Sequence, residues 1–415
     1  MLKGSKQKIW AQKVRRGAVM IEIPKDWRVA ALSEIGTIIT GTTPPTKVRE
    51  YWGKGFPFVT PTDFSEKKYV DQTERMVTNR GAEIARLIPK DSIMVVCIAS
   101  VGEVAMASTE CITNQQINTI VCNQGTDCHF VYYAMVFSKT RLKRWAGITT
   151  SPIIKKSLFE KFPLPLPPLP EQKKIAEVLS TVDQAIGKVD EAIEKTQRLK
   201  KGLMQELLTK GIGHKEFKDT EIGRIPKEWE VVKLGEIIKY EKGRKPKILF
   251  DQEEKNTIPY LSAETLRTGT FIQWATENRE LIKVNNDDVI LIWDGYYCGD
   301  SFIGFDGLLS STMIKIEPKN PNLNKRFLFY FLKACFKELN TKISGMYLKH
   351  VNKFILESQT LPLPPLHEQQ KIAEILSTVD ERLELLRNRK ERLKRTKKGL
   401  MDDLLTGRKR VRLEV

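Results

Sequence analysis

The side chains of this chain that could do chemistry gather in loops, and they are cations, amides, hydroxyls and aromatic rings. In the first half, the segment GTTPPTKVREYWGKG (Gly41 to Gly55) holds Lys47, Arg49, Trp52 and Lys54. Thr60, Thr62 and Asp63 follow, then Asn114, Gln115 and Gln116, then Arg141, Lys143 and Arg144. In the second half Lys242, Arg244, Lys245 and Lys247 form a basic loop. With it come Tyr260, Ser262, Arg267, Trp293, Tyr296, Tyr297, Ser311, Thr312, Tyr347 and Lys349. Asn and Gln can pair bidentately with adenine and Arg with guanine, while Lys, Ser and Thr commonly hold phosphates. Such a set suits recognition of a nucleic acid. Taken singly, the same residues suit any solvated surface, so the choice needs the rest of the chain.

Bond-making chemistry has no comparable set. An adenine methyltransferase needs an Asn/Asp-Pro-Pro-aromatic string, and none is present. No Gly-Lys is followed by Ser or Thr to make a phosphate loop. Gly53-Lys54-Gly55 and Gly211-Ile212-Gly213 are each a lone G-x-G without the later glycine of a dinucleotide fingerprint. The four His (His129, His214, His350 and His367) do not pair at metal-ligand spacing. Cys122, Cys128 and His129 lack the tight Cys pairs of zinc sites. Asp63, Glu66 and Lys68 are too compressed for a nuclease carboxylate cluster. The expectation is a reader and scaffold, not an enzyme, with no cofactor or metal of its own.

Charge agrees with a polyanion partner. The 415 residues carry 69 Lys+Arg against 51 Asp+Glu, a net +18. Neutralising phosphates releases counterions, so this excess favours nucleic acid. The first 170 residues hold 24 basic against 14 acidic side chains, whereas 171–209 balance at 7 and 7. Hydrophobic content of 41% is that of an ordinary globular chain. No apolar run approaches the ~20 residues of a spanning helix, so no membrane partner is expected. The basic start, MLKGSKQKIWAQKVRRG, has no apolar core behind it and is unlike a secretory signal. Six Cys fit a reducing cytoplasm, the location expected.

The elements that must position these loops follow from an internal repeat. LPLPPLPEQKKIAEVLSTVD from Leu164 and LPLPPLHEQQKIAEILSTVD from Leu361 agree at 17 of 20 positions, at an offset of 197. The same offset aligns KKGLMQELLT from Lys200 with KKGLMDDLLT from Lys397. IPKDWRVAALSEI from Ile23 matches IPKEWEVVKLGEI from Ile225 at an offset of 202. Between these anchors the halves diverge almost completely. This is a tandem duplication of a domain plus a helix. The prolines before Glu171 end earlier structure, and Glu171 favours the helix dipole. An apolar ladder in steps of four and three then runs Ile175, Leu179, Val182, Ile186, Val189, Ile193, Thr196, Lys200, Leu203 and Leu207. Its copy runs Ile372, Leu376, Val379, Leu383, Leu386, Lys390, Leu393, Lys397, Leu400 and Leu404. About five heptads in each are the spacing of a coiled-coil seam.

The simplest assembly pairs the two helices antiparallel, with a globular domain at each end and a pseudo-two-fold axis between. Polar seam residues Thr196, Lys200, Lys390 and Lys397 would restrict register. The competing arrangement packs each helix on its own domain. The globular segments show short β-rich runs (FPFVTPTDF, SIMVVCIASVG, DVILIWDGYYCG) and helical runs at 130–145 and 325–339, a mixed α+β composition. Trp27 and Trp229, repeated at the domain entrances, read as core anchors. The expected division is a basic extension 1–20, a first domain 21–163, a helical spacer 164–210, a linker 211–221, a second domain 222–360, a second spacer 361–408 and a tail 409–415.

The doubled PLPP…EQ…KIAE…LSTVD and KKGLM segments resemble the specificity (S) subunit of type I restriction–modification systems. The openings IPKDW and IGRIPKEW, with TNQQIN and SSTM, look like that family's two target-recognition domains. The resemblance covers about residues 20–408, and the basic segment before Met20 is longer than the family pattern. It implies that each variable domain reads half of a split, asymmetric site in double-stranded DNA. It implies that the helices dock two methyltransferase (M) subunits, with two motor–nuclease (R) subunits completing the complex. S-adenosylmethionine would then belong to M, and ATP and magnesium to R. Outward residues Lys174, Glu177, Lys371 and Glu374 are candidates for the M contact. The alternatives are a single-chain nuclease, and a coiled-coil DNA-binding or scaffold protein outside restriction–modification.

Overall fold

The computed structural model describes residues 13–16, 19–147, 152–339 and 350–412. Tyr347 and Lys349, and most of the basic extension, lie outside the described residues. The chain divides into two compact units, Met1–Asp190 with Arg389–Val415, and Glu191–Asn388.

Unit 1 is built on a five-stranded sheet ordered Gly36–Thr40, Ile117–Cys122, Ile93–Val96, Val104–Ala107 and Tyr69–Val70. The central strand IMVV is buried throughout, and its period of two divides it between two cores. Ile93 and Val95 pack with the helix Cys128–Phe137, through Phe130, Val131 and Tyr133. Met94 and Val96 pack with Val59, Ile88 and Cys111 of a second, four-stranded sheet. That sheet is ordered Arg75–Val77, Trp52–Val59, Cys111–Thr113 and Leu87–Ile88. A strand buried on both faces reads as a continuous apolar run, which is why SIMVVC shows no alternation. The helical run at 130–145 is two helices, Cys128–Phe137 and Lys139–Trp145, meeting at Ser138.

Unit 2 repeats this plan on a different sequence. Its first sheet is ordered Ile238–Lys242, Met313–Pro318, Val289–Ile292 and Ser301–Phe302. Its second is Trp274–Thr276, Thr257–Leu261, Gly307–Leu309 and Lys283–Val284. Val289 and Leu291 face the helix Lys325–Leu339, and Ile290 and Ile292 face the second sheet. The helix N-caps correspond as well. Asp127 accepts from the Phe130 N–H at 2.8 Å, and Asn324 from the Phe327 N–H at 3.0 Å. The divergent segments between the repeats therefore share one scaffold, because burial fixes hydrophobicity and not identity.

One buried carboxylate is particular to unit 2. Asp288 accepts from Lys325 at 2.7 Å, pairs with Lys315 at 3.0 Å and caps the Asn285 N–H at 3.0 Å. Burial pushes its pKa up, but Lys325, the Asn285 amide and Lys315 outweigh it and hold the carboxyl below its ordinary value. A depressed carboxyl stabilises the fold above its unfolded pKa of about 3.9, and that contribution disappears as pH falls through the folded pKa. Acid unfolding of unit 2 should therefore steepen below about pH 4, and Asp288→Asn should flatten that limb. Superimposable acid limbs for the two proteins would contradict this.

Each repeated segment forms one continuous helix, Leu169–Leu207 and Leu366–Leu404, of 39 residues each, about 58 Å at 1.5 Å per residue. Within unit 1 the helices run antiparallel. Lys397 meets Asp183 at 2.6 Å and, seven residues back, Lys390 meets Asp190 at 2.7 Å. Within unit 2, Lys200 bonds Asp380, the same pair at an offset of 197. Of the seam ladder, Val189, Thr196 and Leu383 are buried. Val182, Ile186, Ile193, Val379, Leu386 and Leu393 are half-buried. Ile175 and Leu179 belong instead to the globular core of unit 1, and Ile372 and Leu376 to that of unit 2. The expectation of a pure helix–helix seam is corrected there. The apolar ladder changes role along its length: its start belongs to one globular core, its middle lies beside the ion pairs of the helix pair, and its end, Leu207 in unit 2 and Leu404 in unit 1, belongs to a globular core again.

The polar residues of the repeat tie helix to domain. Glu171 accepts the Trp27 indole N–H at 3.0 Å, and Glu368 accepts that of Trp229 at 2.9 Å. Gln172 accepts from the Asp127 N–H at 2.9 Å, and Gln369 from the Asn324 N–H at 2.8 Å. The Tyr133 hydroxyl donates to Asp183 at 2.6 Å, and that of Tyr330 to Asp380 at 2.9 Å. Each aspartate thus joins a core helix to the helix pair.

Candidate nucleic-acid interface

In each unit one glycine seats the loops. After Gly36–Thr40 the chain reaches Gly41, where a Cβ would lie 2.0 Å from the Asn114 carbonyl oxygen and 2.3 Å from that of Thr113. At Gly243, a Cβ would lie 2.2 Å from the Ser310 oxygen and 2.4 Å from the Leu309 oxygen. Only glycine allows this approach of two backbones. It presses one polar loop onto another.

Unit 1 thereby brings together the beginning of 41–55, the turn 60–63 and the segment 113–118. The Thr42 N–H donates to the Thr113 carbonyl at 2.8 Å, and the Asn114 N–H to that of Val59 at 3.1 Å. The Thr43 hydroxyl donates to the Gln115 amide oxygen at 2.6 Å. Asn114 donates to Gln116 at 2.9 Å, and both are half-buried and shape the loop. Thr60 is similarly committed, its hydroxyl and N–H both donating to Asp63 at 2.7 Å. Gln115, Thr62, Lys47, Arg49 and Lys54 are the exposed members.

Three residues at 141–144 lie apart, on the helix Lys139–Trp145 beside the strand Pro163–Leu166. Lys143 and Arg144 are exposed there. Arg141 does not behave as a surface cation. Its guanidinium donates to the Pro163 carbonyl at 2.8 Å and lies 4.7 Å over the Phe162 ring. Desolvation lowers its pKa to about 10. We assign it a packing role.

Unit 2 joins different side chains on the same scaffold. The Gly243 N–H donates to the Met313 carbonyl at 3.0 Å, and the Trp293 and Asp294 N–H groups to that of Thr312 at 2.8 and 3.0 Å. Ser310 and Thr312 hydroxyls share a hydrogen bond of 2.9 Å. Lys242 is neutralised locally by Asp294 at 2.9 Å. Ser262 caps the helix Ala263–Thr268. Arg244, Lys245, Lys247, Arg267, Tyr296, Tyr297, Ser311 and Thr312 are exposed. Tyr260 is only 6% exposed, in the strand Thr257–Leu261, and burial pushes its phenol pKa up. It is corrected to a core residue.

Residue spacing missed Arg75, whose guanidinium stacks 3.6 Å over the Trp52 ring. Strand pairing of Arg75 with Phe58 brings it there. Trp52, set among cations in the sequence and opening the strand Trp52–Val59, was the signal that pointed there.

Among the described residues no group of three or more His, Cys, Asp or Glu could hold a metal ion. Burial pushes the Cys122 thiol up to about 12, away from a ligand thiolate. Among them, too, no helix is long and apolar enough to cross a membrane.

Two α+β scaffolds with unlike polar loops, each tied to a repeated long helix, define a two-module recognition protein. Residues 24–196 and 226–395 each match the family described as type I restriction modification DNA specificity domain. The chain belongs to this family, that of the non-catalytic specificity subunits of type I restriction–modification systems. The type I restriction enzyme MjaVIII specificity subunit of Methanocaldococcus jannaschii is 42% identical over 190 residues, 46% of this chain and 45% of that protein. The match therefore spans less than half the length of that relative. The MjaIX specificity subunit of the same organism is 28% identical over 94% of this chain and 95% of its own length. Among solved structures, the type I restriction–modification S subunit from M. genitalium superposes with a TM-score of 0.62 at 17% identity, covering 97% of this chain and 99% of that one. A structure described under complex assembly and conformational transition of the type I R-M system gives 0.56 at 18% identity, over 92% and 98%. These two show likeness of fold.

Proposed function

We propose that the chain reads a bipartite, asymmetric site in double-stranded DNA, one half through each unit's globular part. The observation that carries this is one scaffold bearing two chemically different loop sets. Unit 1 offers amides and hydroxyls with Lys47, Arg49 and Lys54. Unit 2 offers aromatic rings, hydroxyls and the cations Arg244, Lys245 and Lys247. Equal frames with unlike surfaces suit two half-sites of different sequence. Methyl transfer and cleavage would belong to partners: two methyltransferase subunits using S-adenosylmethionine, and two motor–nuclease subunits using ATP and magnesium. The setting would be the cytoplasm.

The long helices supply support for docking. Gly202 and Gly399 occupy the same place in the repeat, inside a helix, and a Cβ on either would meet nothing within 4 Å. A glycine inside a helix costs about 1 kcal/mol relative to alanine. The chain's own packing does not require it, and close approach of a partner backbone would. Lys371 and Glu374 are exposed, and Glu177 pairs with Lys174 at 2.9 Å, so both copies also carry charge near the start of their helices.

The test is methylation of DNA by the chain mixed with its methyltransferase subunit, against either alone. Methylation by this chain alone would defeat the proposal. A scaffold without DNA affinity would show no binding, whereas a DNA reader should lose affinity with salt at a log–log slope near −0.9 per neutralised phosphate. The spacing role has its own test. Four residues inserted at Lys195 turn the distal helix by about 40° and advance it about 6 Å. The gap between half-sites should lengthen or binding fail, and an unchanged gap with full activity would refute the spacer.

A further inference from the structure

Tyr296 is 82% exposed, the most exposed of the large hydrophobic side chains among the described residues. It sits in the hairpin between strands Val289–Ile292 and Ser301–Phe302. That hairpin is tightly built. The Gly299 N–H donates to Ile292 at 2.8 Å, Cys298 to Gly295 at 3.1 Å and Asp300 to Tyr297 at 3.1 Å. Gly295 turns with a φ of 106°, a conformation suited to glycine. Tyr297 stands edge-on to Tyr296 with ring centres 4.9 Å apart, and the Arg267 guanidinium lies 3.5 Å over the Tyr297 ring. Thr312 holds the hairpin base at Trp293 and Asp294, and Lys242 reaches Asp294 just ahead of Arg244 and Lys245. The matching hairpin of unit 1, between Ile93–Val96 and Val104–Ala107, is one residue shorter: Ala99 (φ 62°) turns where Gly295 does, and Ser100 stands where unit 2 has the two tyrosines.

We propose that Tyr296, backed by the stacked Tyr297–Arg267 pair, is a wedge that enters a base step of duplex DNA in the half-site read by unit 2. An exposed ring on a rigid tip, amid cations, is complementary to a stacked base pair beneath a phosphate backbone. Inserted side chains part base steps and kink the duplex, most cheaply at flexible pyrimidine–purine steps. Unit 1, with Ala99 and Ser100, has no such ring, so only one half-site is opened. The inference rests on the DNA-reading function proposed above.

The experiment uses the full chain, with a pool of random-sequence duplexes as the probe. Enriched duplexes are treated, bound and unbound, with permanganate and diethyl pyrocarbonate, which attack unstacked thymines and purines. The expected result is one hyperreactive step, confined to one half-site. Tyr296→Phe keeps it. Tyr296→Ala loses it, with affinity down about 5- to 100-fold, the range for losing one base–aromatic stack. Retained selection of the other half-site in that variant shows the fold intact. Unchanged reactivity and affinity in Tyr296→Ala overturn the wedge alone. A wild-type chain that selects no duplex overturns the DNA reading and the wedge together.

Discussion

Exchanging residues 40–160 for the matching segment of another specificity subunit is expected to replace one half of the methylated sequence and leave the other half as it was. The segment holds the exposed recognition candidates of unit 1, from Lys47 to Arg144, and every strand of the two sheets beneath them except the edge strand Gly36–Thr40, which it meets only at Thr40. Its seat is made by Trp27, Phe162, Leu164, Ile175 and Leu179, which lie outside the exchange. The loops of unit 2 are held by their own backbone bonds, at Gly243, Trp293 and Asp294. Each mismatched base pair costs roughly 1–3 kcal/mol, so mismatching three or more at once should cost at least about a hundredfold in affinity for the old sequence. Single-molecule sequencing of methylated bases in cells expressing the chimaera with its methyltransferase subunit reads both half-sites and the gap at once. A change in both halves would contradict a modular reader.

The second large effect is expected at Trp229. It is fully buried in unit 2, and its indole donates to Glu368. Glu368 also accepts from the Ile212 N–H at 2.8 Å and bonds His214 at 2.9 Å. Trp229→Ala leaves a cavity and removes one of these donors, a loss of about 3–5 kcal/mol. Trp229→Phe keeps most of the volume and should cost nearer 1–2 kcal/mol, the price of the lost hydrogen bond and a smaller ring. Hydrogen exchange of amides around Ile372 to Leu376 would register both changes, while unit 1 amides near Ile93 report the background. Similar protection in the Ala and Phe variants would show that Trp229 is not the anchor of this core.

What could be read from residues alone followed from periodicity and repetition. The two helices were legible because their ladder keeps one spacing for 39 residues, and their ends because proline and glycine stand there. The globular cores were legible only as a class. Strands such as Val289–Ile292 are buried on both faces, so no alternation marks which sheet each residue serves. The kinship of the two scaffolds was legible from the anchors at Ile23 and Ile225 and not from the strands between them, since IMVV and VILI satisfy one environment without sharing a residue in register. The seam was misread at both ends, since Leu207 and Leu404 also lie in globular cores. Ile175 and Leu179 have the spacing of helix-to-helix contacts, yet the same face meets a domain first.

Candidate contacts were legible by type and not by orientation. Arg141 and Tyr260 have the right chemistry but point into packing, because a guanidinium or a phenol buries well when its polar end finds a partner. Arg75 was missed because strand pairing, not sequence proximity, sets it on Trp52.

The seating of the loops carries a consequence for redesign. At Gly41, Asn114, Gly243 and Trp293 the attachments are made by peptide groups, which every residue but proline possesses. Side chains at Lys47, Lys54, Arg244 or Ser311 can therefore be randomised together in a combinatorial library without unseating the loops. Diversity confined to those exposed positions should yield a high fraction of folded variants, whereas a library that touches either seating glycine should yield few.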